Sequence, residues 1–215
     1  MIEVEQVGPD WLVEYGRIPI AFEVRAVLRV EPPGSGDLGF RLVEERVPEP
    51  YVKDYDNDPD GRVVNWPRRF DVANWGFFAA RDGKEAVGAA AVAIRTPGVH
   101  MLEGRDDLAV LWDVRIQPAR RRQGIGMTLF RHAADWARGK GCCRVKVETQ
   151  NTNVPACRFY ARQGCVLGGI NRFAYAACPG VAHETMLLWY LELDSGVCPP
   201  APDESRNYSR SETDD

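Results

Sequence analysis

The stretch from Leu108 to Gly141 constrains this chain more than any other. Leu108 to Ile116 (LAVLWDVRI) is a nearly continuous apolar run of strand length, and Pro118 ends it. Arg120 to Gly126 (RRRQGIG) follows. An amphipathic run comes next, with Ile125, Leu129, Ala133 and Trp136 at helical spacing and Gly139 and Gly141 as its stop. A buried strand, a glycine turn and a helix in that order point to an α/β layer structure. The turn carries chemistry as well. A helix opening on glycine presents free backbone N–H groups and the positive end of its dipole, which together make an anion site. Gly124 and Gly126 let the backbone approach that anion closely, and the arginines can pair with it bidentately. Cations crowded at a helix N-terminus are unfavourable without an anion nearby, so the arginines themselves argue for a ligand.

The other elements fit the same class. Ala21 to Val30 alternates and reads as a strand ended by Pro32-Pro33-Gly34-Ser35-Gly36, and Phe40 to Val47 is its hairpin partner. Pro50 to Asp60 (PYVKDYDNDPD) reads as a loop with four aspartates. Trp75 to Arg81, the turn Asp82-Gly83-Lys84, and Ala86 to Arg95 form a hairpin whose small residues permit close packing. Arg144 to Glu148 is a strand, Asn153 to Gln163 a short helix closed by Gly164, and Cys165 to Ala176 and Glu184 to Leu193 are strands. The order predicts a mixed central sheet flanked by helices, in one domain over 1–195. The polar, proline- and serine-rich segment 196–215 is expected to be disordered.

Which anion the loop holds narrows by elimination. No G-x-x-x-x-G-K-[ST] is present, and Leu129 stands where a dinucleotide fingerprint needs its third glycine. Net charge is −4, but six acidic and two basic residues lie from Asp194 onward, which leaves the body neutral. A neutral body argues against nucleic-acid binding despite Arg120 to Arg122. No secretory signal or membrane-length apolar run occurs, so a soluble cytoplasmic protein is expected. The six cysteines form no C-x-x-C and the three histidines do not cluster near them, so no metal site is expected. Cys142 and Cys143 read as reduced, half-buried thiols.

Two blocks carry a family resemblance. The run Ile116 to Gly126 (IQPARRRQGIG) resembles the acyl-CoA signature of the GNAT superfamily of N-acetyltransferases, a strand ending in V/I-x-P and then R-x-x-G-x-G/A, with Arg121, Gly124 and Gly126 at the three named positions. Asn153 to Cys165 (NVPACRFYARQGC) resembles the family's N-x-x-A-x-x-F-Y-x-x-x-G-F, with Cys165 in place of the final Phe. Within the family, PYVKDYD, WDV, VETQNTNVPACRFY and LLWYLEL resemble the streptothricin acetyltransferases, which acetylate an amino group of the β-lysine part of that antibiotic. The resemblance spans roughly the latter half, with a shorter echo near the N-terminus.

The resemblance implies a GNAT fold with an acyl-CoA cleft between two splayed strands, substrate-side strands and loops over 1–70, and a CoA-binding core over 71–195. It implies acetyl-CoA as co-substrate. The pyrophosphate would sit on the N–H groups of Arg121, Arg122, Gln123, Gly124, Ile125, Gly126 and Met127. The pantetheine arm would run along Val114 and Ile116, with Asn153, Ala156 and Phe159 beside it. Asn153 is also a natural helix cap. Tyr160 takes the place of the family's tyrosine acid, whose hydroxyl suits donation to a thiolate.

The base is open between three alternatives. Asp113, mid-strand among apolar residues, must be paired with Arg115 or a neighbour, or functional. Glu148 is the second candidate and water the third. On the acceptor side, Tyr51, Asp54, Asp56 and Trp75 are candidate substrate contacts, the aspartates drawing a cationic amine. Solvated turns and ordinary packing are the plain alternatives. The function expected is N-acetylation of a small cationic amine, with no nucleic acid or membrane partner and with homodimerisation open. A protein lysine or N-terminal acetyltransferase is one rival. A non-catalytic acyl-CoA sensor is another.

Overall fold

The computed structural model describes residues 2–32 and 39–193. The Pro33 to Gly36 turn signal and the 196–215 tail lie outside the described residues. Nine strands are present among them: β1 (Ile2–Val7), β2 (Phe22–Glu31), β3 (Arg41–Lys53), β4 (Trp75–Asp82), β5 (Glu85–Ile94), β6 (Leu108–Ile116), β7 (Arg144–Gln150), β8 (Val166–Asn171) and β9 (Met186–Glu192). Four α-helical segments accompany them: α1 (Leu12–Tyr15), α2 (Trp66–Arg69), α3 (Ile125–Gly139) and α4 (Val154–Arg162).

Seven strands form one sheet in the order β1-β4-β5-β6-β7-β9-β8, and β2 and β3 pair as a separate antiparallel hairpin. Among the described residues the only parallel pair is β6 with β7, which is the crossover expected around α3. The alanine-rich β5 lies beneath α3, whose buried face is Ile125, Leu129, Phe130, Ala133, Ala134 and Ala137. Gly88 is needed there because a Cβ would come within 3.0 Å of Leu129 and Ile116. The opposite face of the sheet carries a second core, built from Tyr15, Trp66, Trp75 and Phe77.

Several expectations are corrected. β1 is an additional edge strand, paired antiparallel with β4. β3 runs on to Lys53, through Pro48 and Pro50, so PYVK is strand rather than loop. The prolines are tolerated because residues 47–50 have no ladder partner, at a register shift opposite Val24 and Ala26. β8 stops at Asn171, whose side-chain oxygen accepts the Phe173 N–H and turns the chain away from the sheet. Cys143 is disulfide-bonded and not a reduced thiol, whereas Cys142, Cys157, Cys165 and Cys178 are free.

Candidate active site

β6 and β7 pair only from Leu108/Arg144 to Leu111/Val147. Beyond that point β6 keeps its partner β5 but has none on the β7 side. A bulge at Trp112, between the Leu111–Val92 and Asp113–Ala91 pairs, marks the departure. The expected splay between two strands is therefore present. The Gln117 N–H donates to the Val87 carbonyl at 2.9 Å, so strand alternation turns the backbone groups of Val114 and Ile116 toward the open edge.

The gap leads to the N-terminus of α3. Gly124 is the N-cap residue at φ 85°, a left-handed conformation in which glycine alone is unstrained. Among the described residues, the N–H groups of Arg122 to Met127 donate to no protein acceptor. Six unpaired donors at the positive end of a 15-residue helix fit a polyanion such as a pyrophosphate. The arginine side chains behave differently from the expectation. Arg120 pairs with Asp82. Arg121 donates to the carbonyls of Ile116 (3.2 Å), Pro19 (3.3 Å) and Ala21 (2.8 Å), stapling the segment before β2 to the end of β6. Arg122 is exposed and pairs with nothing among the described residues, so of the three arginines it is the one free to meet an anion. Much of the conflict between cations and helix dipole is thus relieved inside the protein. Phe159 packs on Phe130 and Tyr160, with its ring edge near Gly126. Asn153 caps α4 by accepting the Ala156 N–H at 3.2 Å.

Tyr160 approaches from the α3 and α4 side of the sheet, packed on Phe130. It is 8% exposed, and its hydroxyl makes no hydrogen bond among the described residues. Burial, and then the charge of nearby Asp113, raise its pKa well above that of an ordinary tyrosine, so it stays protonated.

Asp113 comes from the opposite face, where Tyr15 donates to it at 2.9 Å. Arg115 Nε lies 3.0 and 3.1 Å from its two oxygens, and Arg115 Nη2 3.1 Å from Oδ2. The same guanidinium grips Asp56 at 2.7 and 2.9 Å. Of the alternatives for Asp113, pairing with Arg115 is realised. Asp56 turns inward onto Arg115. Asp54 accepts the Asp56 N–H and Asp58 the Asp60 N–H, so two of the loop's other aspartates cap successive turns. Trp75 faces the second core. It is 5% exposed among Trp66, Phe70, Phe77 and Trp112, and its Nε1 donates to Thr96 Oγ1 at 3.1 Å. Tyr51 is exposed, beside His183 and Thr152 in a groove of ≈ 500 Å³.

Glu148 sits on β7 just past the last β6 pair. Its Oε1 accepts from the Tyr175 hydroxyl and from Gln150 Nε2 (3.3 Å). Its Oε2 has no partner among the described residues. Burial raises the Glu148 pKa, against the opposing pull of Tyr175, Gln150 and Lys146. Arg115 was expected only as a partner of Asp113, and Tyr15, Gln150, Tyr55, Tyr175 and the buried Lys53–Glu184 pair were not foreseen as members of the site. For Arg115 the sequence signal is a charged residue inside an apolar strand, and the others carry none of that kind.

The acetyltransferase (GNAT) family model matches residues 41–165. A streptothricin acetyltransferase of Escherichia coli is 33% identical, over 79% of this chain and 84% of that protein. Streptothricin acetyltransferase A of Bacillus subtilis (strain 168) is 28% identical over 70% and 79%. A solved Bacillus anthracis (strain Ames) structure, described as a streptothricin acetyltransferase in complex with acetyl coenzyme A, superposes with a TM-score of 0.68 at 24% identity, covering 90% of this chain and 98% of that one. A sheet that opens at its one parallel pair onto an unsatisfied helix N-terminus, together with a family match across more than half its length, makes this chain a member of the GNAT family of N-acetyltransferases.

Proposed function

We propose that this acetyltransferase takes its acetyl group from acetyl-CoA and delivers it to a primary amine of a small cationic acceptor of the streptothricin class. The gap beyond Leu111 carries the first half of the reading: an open strand edge at Val114 and Ile116 that ends on the free N–H groups of Arg122 to Met127. The similarity to streptothricin acetyltransferases over most of the chain supports the second half.

Acetyl-CoA supplies an activated thioester. The loop N–H groups hold its pyrophosphate, and the β6 edge pairs with its pantetheine amides. Glu148 Oε2 accepts the proton of the incoming ammonium. The amine nitrogen then bonds to the acyl carbon as the carbon–sulfur bond breaks. Tyr160 gives its proton to the departing sulfur and is reprotonated by the second proton lost from the nitrogen, while Glu148 passes the first to solvent, so one net proton is released. Glu148 is assigned as base ahead of Asp113 because the Asp113 oxygens are occupied by Tyr15 and Arg115, whereas Glu148 keeps one oxygen vacant. Tyr51 and Asp54 are assigned to the far end of the acceptor.

The test is CoA release from acetyl-CoA with streptothricin, an aminoglycoside, spermidine and a lysine peptide in parallel. Streptothricin should turn over, and Tyr160→Phe should lower kcat by about 10²–10⁴-fold with acetyl-CoA affinity unchanged. Turnover of the peptide alone would replace this reading with a protein acetyltransferase. Tight acetyl-CoA binding with no turnover of any amine would overturn the acceptor assignment.

A further inference from the structure

Three side chains outside the expected site close around Glu148. Tyr175 lies in the irregular segment between β8 and β9, and Tyr55 in the 3-10 turn after β3. The Tyr55 hydroxyl donates to Gln150 Oε1. Gln150 Nε2 donates to the Tyr175 hydroxyl at 2.9 Å and to Glu148 Oε1 at 3.3 Å, and Tyr175 donates to that same Oε1. The Gln150 amide therefore bridges the two tyrosines, and Gln150 and Tyr175 both donate to one carboxylate oxygen of Glu148. The other oxygen, Oε2, takes no hydrogen bond among the described residues.

We propose that Tyr175, braced by Gln150 and Tyr55, is a positioning residue that pins Glu148 Oε1 so that Oε2 meets the acceptor ammonium. The inference rests on the assignment of Glu148 as base. A glutamate side chain has three rotatable bonds, and two donors on one oxygen select a single orientation. The two tyrosines come from loops on separate parts of the chain, so the base is set only when both loops are seated.

The groups that act on Glu148 are few. Lys146 on the same strand, Tyr175 from the β8–β9 segment and Gln150 all favour its charged form, and burial opposes them. Tyr55 senses its charge, with the Lys53–Glu184 pair beyond, Lys53 Nζ lying 5.3 Å from the Tyr55 ring centre. Burial holds Tyr175 well above an ordinary tyrosine, so it remains a donor across the working range. Removing its hydroxyl removes a contact that lowers the Glu148 pKa. That pKa then rises, and the base is protonated over more of the pH range.

The experiment is the pH profile of kcat for the wild type, Tyr175→Phe, Gln150→Leu, Glu148→Gln and the Tyr175→Phe/Glu148→Gln pair. Tyr175→Phe should lower kcat roughly tenfold near neutral pH, the scale of one hydrogen bond to a charged group. Its rising limb should move to higher pH, so alkali restores activity, which a purely structural defect would not show. Gln150→Leu should move the limb in the same direction. In the Glu148→Gln background the Tyr175 substitution should cost nothing further, because it acts only through the carboxylate. Wild-type kcat in Glu148→Gln overturns the base assignment, and this inference with it. Loss of activity in Glu148→Gln with an unmoved limb in Tyr175→Phe overturns the positioning role alone.

Discussion

Replacing Arg115 by methionine removes the centre of the buried ion cluster beneath the gap. Arg115 is 2% exposed and makes bidentate contact with Asp56 at 2.7 and 2.9 Å while holding Asp113 at 3.0 to 3.1 Å. Methionine keeps much of the volume, so the main loss is the charge partner. The Asp113 side chain is 7% exposed and cannot rehydrate in place, whereas Asp56, at 27%, partly can. Breaking one side of a buried pair costs about 3–5 kcal/mol. For a domain of this size that corresponds to a fall in Tm of about 6–20 °C. The pH dependence follows from the sign of the shift. Burial already raises the Asp113 pKa, and loss of Arg115 raises it further. A carboxyl raised on folding contributes stability below its unfolded pKa of about 3.9, and loses it as pH climbs through the folded value. The deficit of the variant should therefore be small near pH 4 and full at about pH 8. Urea unfolding followed by tryptophan fluorescence at several pH values measures it. A deficit under about 1 kcal/mol at pH 8, or one constant with pH, would refute the cluster as the source of stability.

Gly124→Val should lower stability and weaken acetyl-CoA binding about tenfold, because a β-branched residue at φ 85° costs about 1–2 kcal/mol and tilts the loop N–H groups. Calorimetric titration with CoA reads it, and unchanged affinity would detach the loop from the ligand. Trp75→Phe should cost about 1–3 kcal/mol through lost packing and the lost Thr96 hydrogen bond. The acceptor KM should stay unchanged, and a raised KM would return Trp75 to the binding site.

Strand, loop and helix over Leu108 to Gly139, the β4–β5 hairpin, and α4 with its Asn153 cap are all legible in local patterns, because period, glycine and capping chemistry act within a few residues. β1 is legible only weakly in the alternation of IEVEQV, because an edge strand of six residues with three polar side chains offers little apolar pattern. The prolines of β3 and the end of β8 were not, since a register gap and an Asx turn override strand propensity there. At the site, sequence alone determined which residues could bind an anion and donate a proton. Only the tertiary structure decided which carboxylate is available. Asp113 and Asp56 are as acidic as Glu148 in the sequence, yet packing brings Arg115 between them and leaves Glu148 Oε2 open. Pairing between residues far apart in the chain depends on where the backbone folds back, and no local pattern encodes it.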